Sequence, residues 1–423
     1  MDKAAHIAII TGTRADWGLL SPAARLLRDT PGVRLSVVAT NMHLSHRHGY
    51  TVDGIIADGF DVTHRVAVPE DLGDSGAGRA HAAAVCLAGV ADALAELRPD
   101  TAVILGDRFE ALAAAQAAVL TAVPVTHLHG GETSRGAVDD SMRHAITKLA
   151  SLHLCATEEA RRRIIQMGEQ PDSVITVGAP GVYNALKMPK MSSDELRQNL
   201  DGFDIDPERT LLVTYHPETN DYASTPAQRF EALLQALDRF PNCNVILTGT
   251  NNDAGAEGIR SLAAEYAAAN DGRVLTVESL GARRYLSAMA RCAAVVGNSS
   301  SGIIEAPSMH IPTVDIGGRQ AGRQCAASVI HCGAGADDIA AAIALALTPE
   351  ARNRAATAAN PYYRDDTPRI IAPAAKHRQD IPRHPKPIIG NTLWTPIRYT
   401  SSPHAEAAKA FHTRISKFLG ESH

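Results

Sequence analysis

At 423 residues the chain is long enough for two or three domains, and 45% hydrophobic with 21% charged residues is globular usage that excludes a mostly disordered polymer. Its 41 Lys+Arg against 46 Asp+Glu give a formal net charge of -5, with no basic excess to neutralise a phosphate backbone, and 4% aromatics are too few for a base-stacking platform. No nucleic-acid partner is therefore expected.

The apolar run 7–10 follows Asp2 closely and stops at Thr11, unlike the basic start and long apolar core of a secretory signal. The longest apolar stretch, 111–125, is interrupted by Gln116 and falls short of the roughly 20 residues of a membrane span. Cysteines 86, 155, 243, 292, 325 and 332 are scattered without a C-x-x-C pair, which reads as reduced structural thiols. A cytoplasmic location without membrane contact is expected.

In chain order, residues 6–10 read as a strand, 19–28 as a helix with Leu19, Ala23, Leu26 and Leu27 on one face, and 35–39 as the next strand. A long helix over 78–98, a strand over 101–105, a helix over 108–120, a strand over 123–127 and a helix over 141–150 follow. Strands over 152–156 and 173–177 complete the series, whose rhythm predicts βαβ units and a parallel sheet covered on both faces. Residues 178–202, with Pro180 and Pro189, read as a connection. A second series then alternates strands over 211–215, 244–248, 274–277, 293–296 and 313–316 with helices over 226–239 and 255–270. The expected organisation is an α/β fold with two Rossmann-like, doubly wound domains, 1–180 and 181–370, facing a cleft at the C-terminal ends of their strands. The Pro-rich segment 371–423 is expected to be an extended tail, with a short amphipathic helix over 405–419.

Six polar clusters sit where strands give way to loops. After the first strand, Gly12 permits a tight turn, the following helix start offers N–H groups to an anion, and Arg14 adds a guanidinium fork. After the third strand come Asp107 and Arg108, where Asp107 either faces a ligand or caps the next helix. The segment from His127 to Arg143 carries His129, Gly130, Gly131, Glu132 and Asp139. Its titratable groups suit proton transfer, a metal site is the alternative chemistry, and the paired glycines suit close approach by a substrate. His216 follows the first strand of the second series, and Asn251 follows the next. The strongest cluster is Gly297 to Gly302, where Ser299 and Ser300 open a helix and offer donors to a diphosphate. Glu305, one turn on, suits the two hydroxyls of a ribose, and the loop holding Arg319, Gln320 and Arg323 supplies positive charge. A Rossmann G-x-G-x-x-G, a Walker lysine and a nucleophile elbow are absent from the sequence.

Taken together, TGTRADWGLL, ILGDRFEAL, HLHGGETSRGAVDDSMRHAIT, TYHPET, SLGARRYLSAM and GNSSSGIIEAPS followed by GGRQAGR resemble the hydrolysing UDP-N-acetylglucosamine 2-epimerases over about residues 5–370. The resemblance implies a GT-B-like pair of Rossmann domains and conversion of UDP-N-acetylglucosamine and water to UDP and N-acetylmannosamine, the entry to sialic acid synthesis. A related branch acts on a 2,4-diacetamido-2,4,6-trideoxyhexose nucleotide, and a glycosyltransferase on the same fold is a further alternative. It implies C2 deprotonation with loss of UDP to a glycal, then addition of water with reprotonation of C2 from the other face. By match to the motifs, Asp107, His129, Glu132 and Asp139 are the candidate acid/base groups, and His216 assists departure of the diphosphate. Arg14, Arg108, Asn251, Ser299, Ser300, Arg319, Gln320 and Arg323 would hold the nucleotide, and Glu305 its ribose. No metal or other cofactor is implied, and a homo-oligomer, dimer or tetramer, is expected. Relatives end with a helix crossing back to the first domain, which the Pro-rich tail does not resemble.

Overall fold

The computed structural model describes residues 4–72, 75–134, 138–218, 224–250 and 255–376. They form two compact units, the first taking residues up to 132, 139–180 and those from 364 onward, the second taking the remainder.

The first unit is built on a seven-stranded parallel sheet of β1 (Ala5–Thr11), β2 (Val33–Thr40), β3 (Val62–Val66), β4 (Thr101–Leu105), β5 (Val125–Leu128), β6 (Leu152–Cys155) and β7 (Val174–Thr176), ordered β3-β2-β1-β4-β5-β6-β7. All seven residues of β1 are buried. Ile7 and Ile9 enter one apolar cluster while Ala8 and Ile10 enter another, the period-two alternation of a strand covered on both faces. The helix Gly76–Leu97 is long and apolar enough by composition to cross a bilayer. Its Cys86, Val90, Ala93 and Leu94 are fully buried in the folded unit, and packing accounts for that apolar face.

The second unit repeats the plan with six parallel strands: β8 (Thr210–Thr214), β9 (Asn244–Thr248), β10 (Val274–Val277), β11 (Ala294–Gly297), β12 (Thr313–Ile316) and β13 (Val329–Cys332), ordered β10-β9-β8-β11-β12-β13. Leu211 and Val213 face one core and Leu212 the other. Strand order reverses between β1 and β4 in one sheet and between β8 and β11 in the other. Outside the strand ends at such switch points, open α/β sheets leave room for ligands.

The structure differs from the sequence expectations at the connection and at the end of the described residues. The stretch 178–202 contains two short helices, Pro180–Lys187 and Ser193–Gln198; Pro180 stands at the first helical position, where its missing N–H removes nothing. Residues 372–376 are helical rather than extended, because the helix Thr367–Lys376 buries Ile370, Ile371, Ala374 and Ala375 beside Leu20, Ala24 and Leu27 of the helix Arg14–Arg28. A helix returning to the first unit is thus present ahead of the Pro-rich segment, and residues 364–370, expected with the second series, group with the first. The expected helix over 405–419 lies outside the described residues.

Candidate active site

In the first unit the turn after β1 is closed by its own helix. Thr13 caps the helix Arg14–Arg28 and accepts the Asp16 N–H, while the Asp16 carboxylate accepts N–H groups of Gly12 and Thr13 at 3.3 and 3.0 Å. An internal carboxylate therefore closes the turn ahead of the helix, and the Thr13 hydroxyl takes one N–H of the first helical turn. Arg14 is exposed on that first turn. Beneath it lies Glu110, 2% exposed, whose carboxylate meets the Arg108 guanidinium at 2.7 Å. A Cβ on Gly12 would stand 2.6 Å from the Glu110 Cγ, so this turn requires glycine. Burial and the Glu110 charge push Asp16 up to about 7. Arg108 is held charged chiefly by Glu110, with Asp16 and Asp139 adding to its field.

Asp107 does not cap the next helix: Arg108 holds that position, without a side-chain cap. Asp107 instead pairs with Arg143, whose side chain is among the largest fully buried in the chain. The Arg143 guanidinium also donates to Asp140 at 3.2 Å and to the Glu132 carbonyl at 3.1 Å. One buried cation thus gathers the strand-end Asp107, the 132 backbone and the helix Asp139–Leu149. The sequence signal for Arg143 is weak, a position on the same helix face as Ile146 and Thr147, the other buried residues of that helix.

The two histidines of the His127–His129 pair divide their roles. His127 is fully buried, with Nε2 at 2.8 Å from the Gly106 carbonyl and Nδ1 at 3.4 Å from Thr147. Burial pushes it down to about 3, so it is a neutral structural imidazole. His129 adopts left-handed backbone (φ 62°), a conformation costly for a side chain with a Cβ, and its Nδ1 lies 2.5 Å from Glu132 Oε1. Its Nε2 is buried and makes no hydrogen bond among the described residues. The paired glycines have a protein cause. A Cβ on Gly130 would stand 2.8 Å from His127 Nδ1, and one on Gly131 (φ +77°) would stand 2.5 Å from the Ala160 carbonyl. The loop needs glycine to lie against its own fold.

In the second unit, Asn298 is the hub. Fully buried at the end of β11, its side chain accepts the His216 N–H at 2.7 Å and donates to the His216 carbonyl at 2.8 Å. Its backbone carbonyl receives Gln320 Nε2 at 2.7 Å and Arg319 Nη1 at 3.4 Å. Asn298 is not among the residues that the motifs single out, yet it fastens three that are, His216, Arg319 and Gln320. His216 lies 3.3 Å from Thr250 and is driven down to about 3 by burial, then by Arg319, so its imidazole is neutral at ordinary pH. Ser299 caps the helix Ser300–Ile304, accepting the Ser301 N–H, and Tyr285 lies 2.6 Å from the Ser301 hydroxyl. A Cβ on Gly181 would fall 1.9 Å from Glu305 Oε1, so the Glu305 carboxylate rests on the start of the helix Pro180–Lys187. Arg323 donates to Ser134 at 3.2 Å. Asn251 lies outside the described residues.

Parallel sheets of this order, with polar turns at their switch points, define a doubly wound, Rossmann-like α/β protein. Residues 25–375 match the family model described as UDP-N-acetylglucosamine 2-epimerase. The chain is 38% identical over 325 residues to the UDP-N,N'-diacetylbacillosamine 2-epimerase (hydrolyzing) of Legionella pneumophila, covering 77% of this chain and 84% of that one. It is 32% identical over 329 residues to the UDP-N-acetylglucosamine 2-epimerase of Neisseria meningitidis, covering 77% and 83%. Among solved structures it is similar to the Methanocaldococcus jannaschii UDP-GlcNAc 2-epimerase in complex with UDP-GlcNAc and UDP. The TM-score is 0.71 at 17% identity, over 86% of this chain and 98% of the other, a likeness of fold. The protein belongs to the hydrolysing UDP-N-acetylglucosamine 2-epimerase family.

Proposed function

We propose that the protein hydrolyses a UDP-linked 2-acetamido hexose with inversion at C2, releasing UDP and the free 2-epimer. The observation that carries this reading is the His129–Glu132 dyad, with a buried imidazole Nε2 that makes no hydrogen bond within the described chain, next to the carboxylates gathered by Arg143. Glu132 fixes the ring and supports positive charge on it, as a carboxylate does in other His-based general bases. His129 Nε2 takes the C2 proton as the C1–O bond to UDP breaks, leaving a glycal. Water then adds its hydroxyl to C1 and gives its other proton to a carboxylate of the set Asp107 and Asp139, which passes that proton to C2 on the opposite face, while His129 releases the proton it took to solvent. Arg108 balances the charge of that set. Arg14, Ser299, Ser300, Arg319 and Arg323 hold the diphosphate, with Gln320 keeping Arg319 in place through the shared Asn298 carbonyl. Asn251 is proposed to assist them and Glu305 to take the ribose. His216 enters neutral and donates a hydrogen bond to the departing phosphate, whose negative charge raises its proton affinity.

Two sugars fit the reaction. UDP-N-acetylglucosamine is the substrate the motifs suggest. The second reading, UDP-N,N'-diacetylbacillosamine, is favoured by 38% identity to the Legionella relative against 32% to the Neisseria one. We take the diacetamido sugar as the preferred substrate. Paired assays of UDP release test this: a kcat/KM at least about tenfold higher on the diacetamido sugar supports it, tenfold being 1.4 kcal/mol of transition-state discrimination. Equal or reversed preference returns the assignment to UDP-N-acetylglucosamine, and release of UDP only when an acceptor is added would make the protein a transferase.

A further inference from the structure

Glu218, two residues beyond His216, has no part in the scheme above, yet its placement is unusual. It is 5% exposed, and its carboxylate meets the Arg229 guanidinium at 3.3 Å. The same carboxylate accepts the backbone N–H of Gly318 at 3.2 Å. Gly317, at φ +74°, leaves no room for a side chain: a Cβ there would stand 2.3 Å from Glu218 Oε1. The carboxylate is thus moulded into the turn that leaves β12, and that turn presents Arg319 and Gln320.

The turn is held at two points. Glu218 grips its start at Gly318, and the Asn298 carbonyl receives its other end through Gln320 and Arg319. Both grips trace to one short segment after β8, since His216 exchanges two hydrogen bonds with the Asn298 side chain while Glu218 reaches Gly318. Burying an ion pair is costly and an apolar pair of similar volume would close the same core. A carboxylate adds what an apolar residue cannot, an acceptor that fixes one backbone N–H and so the direction in which Arg319 leaves the strand end.

We propose that Glu218 is a positioning residue for the diphosphate, acting through the Gly317–Gly318 turn and Arg319 rather than by touching the nucleotide. The inference rests on the assignment of Arg319 to the diphosphate given above.

UDP affinity, measured by calorimetry on the full chain, tests it through a double-mutant cycle. Glu218→Gln keeps an acceptor but strips the hydrogen bond of its charge, and should weaken UDP about tenfold and raise KM more than it lowers kcat. In an Arg319→Ala background the same substitution should weaken UDP by no more than about twofold, because the group it positions is gone. Gly318→Pro removes the N–H that Glu218 accepts and sets the ring Cδ against the carboxylate, breaking this contact while Glu218 and Arg229 both keep their charges; it should reproduce the weakening even where Glu218→Gln proves too unstable to assay. Unchanged affinity in Gly318→Pro, or full additivity of Glu218→Gln with Arg319→Ala, would overturn the proposal. Failure of the wild-type protein to bind UDP would instead overturn the functional reading, and this one with it.

Discussion

Replacing Arg143 with Met tests how the acid/base cluster is held. The side chain is 2% exposed, and its guanidinium serves Asp107, Asp140 and the Glu132 carbonyl together. Methionine fills a similar volume without charge, so the packing loss is small and the electrostatic loss dominates. Breaking a buried ion pair costs about 3–5 kcal/mol. Asp107 and Asp140 are each 23% exposed and can regain some water, which places the loss at the lower end, about 3 kcal/mol. For a unit of this size that lowers the melting temperature by about 6–12 °C. Circular dichroism melts of wild type, Arg143→Met and Arg143→Lys measure it. Lysine restores a charge but not the fork, so it should recover part of the stability and little of the turnover. A melting temperature for Arg143→Met within about 2 °C of wild type would refute the assignment of Arg143 as the anchor of the cluster.

Glu132→Gln and Asp107→Asn should each lower turnover by about 100-fold or more while UDP affinity stays near wild type, read by steady-state kinetics and calorimetry. Full activity in either removes that residue from the scheme. His127, held at about 3 in the fold, takes up a proton in the unfolded chain as pH drops below about 6.5. Its contribution to stability is therefore present above that pH and lost at about 1.4 kcal/mol per unit on acidification toward 3. Urea melts from pH 7 to 4 should show a shallower acid loss in His127→Asn, and identical slopes would contradict the burial argument. Gly131→Ala forces a Cβ to 2.5 Å from a carbonyl oxygen, whereas Gly32→Ala, at nearly the same φ, meets open space. The first should cost well beyond the ~1–2 kcal/mol of left-handed backbone strain and the second only that, a difference that denaturant titration resolves.

The central strands were legible because they are buried on both faces and read as unbroken apolar runs, as in the 7–10 segment of β1. The two strands without a sequence expectation, β3 and β13, each form one of the two edges of their sheet. Val62–Val66 interleaves Thr63, His64 and Arg65, and Val329–Cys332 carries His331, so neither has an apolar run to announce it. The helix Arg14–Arg28 begins five residues before the apolar stripe because the Thr13–Asp16 capping box, rather than hydrophobic periodicity, sets its start. The site behaved similarly. Strand-end position drew attention to His129, Glu132, Asp107 and Arg319, since loops there face ligands in this fold class. Arg143, Asn298, Glu110 and Glu218 gave no such signal. Arg143, Asn298 and Glu218 meet partners 36, 82 and 100 residues away in sequence, and Glu110 lies against Gly12, 98 residues away, relations visible only once the sheets bring those segments together.

Turnover in heavy water, followed by proton NMR of the released sugar, bears most directly on the proposed chemistry. A C2 proton lost to the protein and replaced from solvent leaves deuterium at C2 in essentially every product molecule, with UDP formed in equal amount. Inverted sugar that keeps its original hydrogen at C2 would contradict the account.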